Sequence, residues 1–167
     1  MGLFTKDIQN FNDLFHHQLE DIYYAEQQIL KALPDMISKA KNTELKTAFE
    51  NHLSETKGQV QRLDQAFKLL GKTPKGATCP AIDGIIKEAN EVAGEISDKA
   101  VLDAALLASA QAVEHYEISR YGTLISWGER LGYGDLNKLF EQTLNEEKKT
   151  DEKLSSLAKR SVNKQAA

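Results

Sequence analysis

QAVEHYEISRYG, residues 111–122, places Glu114 and Glu117 three positions apart with His115 between them. The flanking Val113 and Leu124 mark the apolar face of a helix, and Glu117 falls one turn after Val113. Carboxylates therefore stand on or beside a face that should pack against other helices. The fold follows from asking how many helices share that problem.

Working outward, the same periodicity recurs in four long segments. The first carries Ile8, Phe11, Phe15, Leu19, Ile22, Ile29 and Leu33 on one face. Pro34 lacks an amide donor and clashes with the preceding turn, so a kink or an early end is expected there. Asn42 or Thr43 suits the cap of a second helix with Leu45, Phe49, Leu53, Thr56, Val60, Leu63 and Phe67 inside, closed by Gly71. The turn-rich GKTPKGATCPAIDG follows, and then a short helix over 81–96. Ser97 or Asp98 caps the third long helix, which buries Leu102, Leu106, Val113, Leu124 and Leu131. LGYGD (131–135) ends it, and Asp135 caps a fourth with Leu136, Leu139, Phe140, Leu144, Leu154 and Leu157 inside.

Short links make each pair antiparallel, and the long central link can cross the length of a bundle. No strand-length alternation bounded by hairpin turns occurs. The reading is an all-α, four-helix bundle: two antiparallel helix pairs with a long crossover carrying a short extra helix, one domain over 1–167. The pairs also resemble each other. FENHLSETKGQVQRL (49–63) aligns without a gap on FEQTLNEEKKTDEKL (140–154), matching Phe49 to Phe140, Glu55 to Glu146 and Leu63 to Leu154. The same frame sets Glu26 against Glu117.

Composition narrows the function. A net charge of -4, with lysines interleaved among acids, argues against nucleic acid, which calls for a concentrated basic surface. No run reaches the roughly 18 apolar residues of a membrane span. The start MGLFTKDIQNF lacks a secretory apolar core and the Ser or Thr of a myristoylation motif. The single Cys79 cannot form an internal disulfide, which favours a reducing compartment. The expected location is the cytoplasm. There is no Gly-rich phosphate loop after a strand, no cysteine pair for zinc and no serine elbow.

The acids remain. Glu26 lies centrally on the first apolar face, and Glu117 does so on the third. Glu147 follows Leu144 by three residues, Asp151 stands one turn further, and Glu55 lies at the edge of the second stripe beside His52 and Gln59. Any one of these alone reads as a solvated edge residue, and His16, His17, His52 and His115 singly read as ordinary histidines. Together they exceed what a core tolerates, since each buried ionised carboxylate costs several kcal/mol. Arg120 is the one obvious base near the stripes. The remaining charge calls for a hard cation, and carboxylates with an imidazole suit iron or manganese.

At YYAEQQ (23–28), HLSETKGQ (52–59), KEANEV (87–92), VEHYEISRYGTL (113–124) and NEEKKTD (145–151) the chain resembles the YciE/YciF stress-response family of the ferritin-like superfamily. The resemblance spans nearly the whole chain. It implies a rubrerythrin-like bundle with a dinuclear metal site, a homodimer and ferroxidase-type chemistry with oxygen or peroxide. By motif it implies Glu26, Glu55, Glu117 and Glu147 as core ligands, with His52 and Glu114 contributing. Glu146 competes with Glu147, because the repeat favours the former and the inner stripe the latter. Lys57 stands where some relatives have histidine, which makes the site carboxylate-dominated. The expected cofactor is two metal ions, iron first and manganese second. The alternative is a non-catalytic helical dimer whose site is structural or vestigial.

Overall fold

A computed structural model describes residues 8–167. Five principal helices run in the order α1 (Phe11–Lys39), α2 (Thr43–Leu69), α3 (Pro80–Glu95), α4 (Lys99–Leu131) and α5 (Gly134–Leu157). A π-helical turn, Ala158–Val162, and a last short helix, α6 (Asn163–Ala166), continue α5. The four long helices form the bundle, and residues 70–98 carry the chain back along it. No strand occurs among the described residues.

The caps follow local chemistry. The Asn10 side chain accepts from the Asp13 amide, Asn42 from Glu44 and Leu45, and Asp98 from Ala100 and Val101. Gly132 ends α4 at φ 77°, in the left-handed region that glycine enters without strain. Two expectations change. Helix α1 runs through Pro34 to Lys39, because at an exposed position its solvent-facing side absorbs the lost hydrogen bond. Asp135 is not the cap of α5 but sits in its first turn, bonded to Lys138, while Tyr133 occupies the cap position. Ile8 precedes α1, and both it and Phe11 are exposed rather than core.

The core has two apolar ends and a polar middle. Phe15, Leu19, Phe67 and Phe140 fill one end, with Phe15 and Phe140 centroids 6.4 Å apart. Leu33, Leu45, Leu102, Leu157 and Val162 fill the other. There the carboxylate of Asp103 accepts the amides of Lys41 and Asn42, each at 2.8 Å, and so ties the α1–α2 turn to the start of α4. At the opposite end α4 and α5 approach closely. A Cβ on Gly128 would stand 2.1 Å from Asn137 Oδ1.

The inner face of α2 is rotated from the one expected. Its buried line is Leu45, Phe49, His52, Thr56, Gln59 and Leu63, while Leu53 and Val60 lie at its flank. Both sets repeat every three or four residues. The polar set turns inward because the middle of the bundle is polar.

Candidate metal centre

Each long helix sends an uncharacteristic side chain to the same depth. Glu26 comes from α1, His52 from α2, Glu114 and Glu117 from α4, and Glu147 from α5, and all five are buried. Ligand-type atoms of His52, Glu114, Glu117 and Glu147 lie within 4.8 Å of one another, a group that could hold a metal ion. Glu26 joins through Glu117, its close electrostatic neighbour, and Glu114 stands likewise to Glu147. Glu117 thus touches both the four-residue group and Glu26.

The electrostatics are severe. Burial first, and the Glu147 charge second, push Glu26 up to about 8. Glu147 rises to about 7, again chiefly by burial. Glu114 and Glu117 are held well above the carboxylate range by burial and by their acidic neighbours. Burial also lowers His52 to about 4. Its imidazole is therefore neutral, and the 3.4 Å approach of Nε2 to Glu114 is no ion pair. A neutral ring nitrogen beside carboxylates is the state in which histidine binds a metal.

Whether the residues fit a cation is tested by their hydrogen bonds. Both oxygens of Glu114 and of Glu117, one each of Glu26 and Glu147, and both ring nitrogens of His52 are buried without a donor or acceptor. Buried polar atoms are ordinarily paired, so this many acceptors aimed at one another fit a positive ion. The remaining oxygens are oriented by the protein. The Tyr121 hydroxyl donates to Glu26 Oε1, and the Gln59 amide donates to Glu147 Oε1.

Three expected ligands lie at the rim with partners of their own. Glu146 pairs with Arg62, which also donates to Thr143 Oγ1 at 2.9 Å. Glu55 accepts from Thr150 Oγ1 at 3.3 Å. Asp151 accepts from Gln111 Nε2 at 2.9 Å and faces His115, itself mostly exposed, at 3.3 Å. Between Glu146 and Glu147, it is Glu147 that enters the interior. Glu114 is not an edge residue, being 1% exposed. Arg120 does not offset the acids: it donates to Gln18 and covers the Tyr116 ring. The base that reaches the rim is Arg62, two turns beyond Glu55. Its position ten residues after His52 on α2 becomes a signal only once the rotated face is known.

A bundle of two helix pairs with a crossover, carrying buried carboxylates and one imidazole at mid-height, defines a ferritin-like helical protein with a candidate metal site. The comparisons narrow the class. Residues 10–167 match the family model "Domain of unknown function (DUF892)". Protein YciF of Escherichia coli K12 is 45% identical over 161 residues, 96% of this chain and 97% of that protein. The crystal structure of the E. coli stress protein YciF superposes with a TM-score of 0.89 at 46% identity, covering 94% of this chain and 99% of that one. YcfI of Rhodopseudomonas palustris, described as a candidate structural protein, is 59% identical with a TM-score of 0.89 over 92% and 98% of the two chains. The chain belongs to the DUF892 family. No helix among the described residues is long and apolar enough to cross a membrane.

Proposed function

We propose that this protein is a stress-response metalloprotein that holds two metal ions, iron first and manganese second, and oxidises Fe(II) with peroxide or oxygen. The observation that carries the reading is the set of unpartnered, buried carboxylate and imidazole atoms contributed by all four long helices. His52, Glu114, Glu117 and Glu147 would hold one ion, and Glu26, which neighbours Glu117, would help to hold a second. Bound iron or manganese would supply Lewis acidity and one-electron redox capacity.

The chain's own residues hold and orient. Tyr121 fixes the Glu26 carboxylate, and Gln59 fixes that of Glu147, so the ligands need little reorganisation. Arg62 pairs with Glu146 and so offsets one negative charge at the rim. The apolar layers above and below flank the centre and lower the dielectric around it, which strengthens the interactions between charge and ligand there. The cytoplasm and a homodimeric state belong to the same proposal. Sedimentation of the purified chain checks the dimer.

Metal analysis after chelator-free purification, followed by Fe(II) oxidation under air and with peroxide, tests the activity. Bound iron or manganese near two per chain, lost in Glu117→Ala and reduced in Glu26→Ala, is expected. A reconstituted, folded wild type that binds no metal sinks the reading. The second reading, a non-catalytic dimer with a structural site, draws on Thr56. In the frame of the repeat this residue stands where α5 has Glu147, which leaves one side of the centre without an acid. Tight metal without Fe(II) turnover selects it.

A further inference from the structure

Beside the carboxylate layer lies a cavity of about 650 Å³ under α3, bounded by α1 and α4. That volume is within the range of small-molecule sites, about 300–1,000 Å³. Its walls are apolar, with Ile29 and Met36 from α1, Ile85 and Ile86 from α3, and Leu106 and Val113 from α4. Three bases and three acids, Lys31, Lys39 and Lys87 with Asp35, Asp83 and Glu91, line the outer part of the cavity at or near the surface and mark the mouth. Two of these pairs are internally satisfied: Lys39 with Asp35 at 2.6 Å and Lys87 with Glu91 at 3.5 Å. The mouth therefore has no net pull for an ion. The inner end is different. His52 and Glu114 line the same cavity, are 3% and 1% exposed, and carry ring nitrogens and carboxylate oxygens without hydrogen-bond partners.

Helix α3 behaves as a cover rather than as core. Ile82 is its one buried residue, while Ile85, Ile86 and Ala89 remain half-buried over the cavity. An amphipathic helix ordinarily presses such a face onto its neighbours. Here the face roofs a space instead.

We infer that this cavity binds an uncharged aliphatic molecule with a single oxygen at one end, of the class of a medium-chain alcohol. The chain lies along the apolar walls under α3, and the hydroxyl reaches His52 and Glu114. A hydroxyl can exchange a hydrogen bond with the Glu114 carboxyl group or with a His52 ring nitrogen, and it brings no charge into an acidic layer. A fatty carboxylate would carry its own charge into a buried layer that already holds two acids, Glu114 and Glu147, and is disfavoured. The inference does not need the metal reading, and because the two share His52 and Glu114 it is stated for the metal-free chain.

Calorimetric titration of the metal-free protein with 1-octanol, and separately with octanoate, tests it. Saturable 1:1 binding of octanol, with octanoate weaker by about tenfold or more, is expected. Two filling variants on different helices, Ala89→Phe on α3 and Ala32→Phe on α1, each lower octanol affinity about tenfold while retaining helical circular dichroism and wild-type metal content. Absence of saturable binding overturns the inference, and so does undiminished binding in both folded variants. Octanoate binding as tightly as octanol overturns the assignment of the head group. Metal uptake without octanol binding removes this inference alone. Octanol binding by a protein that takes up no metal removes the metal reading alone and supports the cavity.

Discussion

The two helix pairs share a backbone plan and divide the chemistry unequally. In the frame that sets Phe49 on Phe140, Glu26 of α1 meets Glu117 of α4, and there the likeness of the polar layer stops. Tyr23 stands where α4 has Glu114, Thr56 where α5 has Glu147, and His52 where α5 has Thr143. The α4–α5 pair thus supplies three of the four groups that crowd within 4.8 Å, and the α1–α2 pair supplies the imidazole. A repeat conserves what packing needs, which is helix length, crossing and apolar register. It does not conserve the polar layer, where each exchange of Thr for Glu changes charge without changing the fold. The centre is consequently one-sided, leaning toward α4.

That asymmetry is broken most directly at its heavier side. Glu147→Gln removes one of the four clustered ligands and is expected to abolish retained metal, whereas Glu26→Gln, outside that group, lowers stoichiometry and leaves one position filled. Equal losses in the two variants, measured by elemental analysis after gel filtration, would show the halves to be equivalent. Thr56→Glu sharpens the comparison from the other side. It restores the acid that the repeat frame lacks and should raise metal content while destabilising the metal-free chain.

Next in size is the response of the metal-free protein to pH. Glu26 and Glu147 rise from 4.5 to about 8 and about 7, so the folded state binds protons that the unfolded chain has released. Their contribution is fully present below pH 4.5 and is lost as pH climbs through 7 to 8. For Glu147 this is on the order of 3 kcal/mol. His52, lowered from 6.5 to about 4, acts oppositely: its contribution is full above 6.5 and is lost as pH falls toward 4. Four raised carboxylates outweigh one histidine, so thermal unfolding midpoints should fall from pH 6 to pH 8.5. Added metal replaces the protons and should reverse the slope. A metal-free midpoint that rises over that interval contradicts the burial of the acids.

Much of this was legible in the sequence, and the gaps have physical causes. The helices, both long caps and the crossover followed from periodicity and from Asn42, Asp98 and Gly132. Glu26, Glu117 and Glu147 stood out because each interrupts an apolar stripe. His52 and Gln59 were harder, because Leu53 and Val60 offer an equally regular stripe one position over. Only the company of acids from other helices turns the polar one inward. Asp103 was not legible at all. Its partners, the amides of Lys41 and Asn42, lie about sixty residues away, and nothing local shows that a carboxylate near a helix start caps another turn. Asp103→Ala removes two hydrogen bonds from a carboxylate to the part-buried amides of Lys41 and Asn42 and should cost about 1–3 kcal/mol in urea unfolding. Asp135→Ala, an exposed acid at the other interhelix turn, should change nothing measurable.

The two interhelix turns therefore close by different means, one by a carboxylate and the other by the lack of a side chain. At the α4–α5 end the Asn137 amide donates to the Ile125 carbonyl at 3.0 Å, across a space that Gly128 leaves open. In Gly128→Ala the new methyl would sit 2.1 Å from Asn137 Oδ1, closer than any real contact, so the amide must turn away and lose its bond to Ile125. The expected cost is about 1–3 kcal/mol, the usual range for overpacking. Two effects are combined in that figure, and Asn137→Ala separates them. Alone it loses the hydrogen bond; combined with Gly128→Ala it also removes the clash, so the double variant should be more stable than the sum of the single losses predicts. Strict additivity would mean that the clash is relieved by moving the helices apart. The aromatic contact of Phe15 with Tyr133, at 5.2 Å between centroids, would then loosen, and the near-ultraviolet circular dichroism of Tyr133 and Trp127 would weaken in Gly128→Ala even with Asn137 shortened.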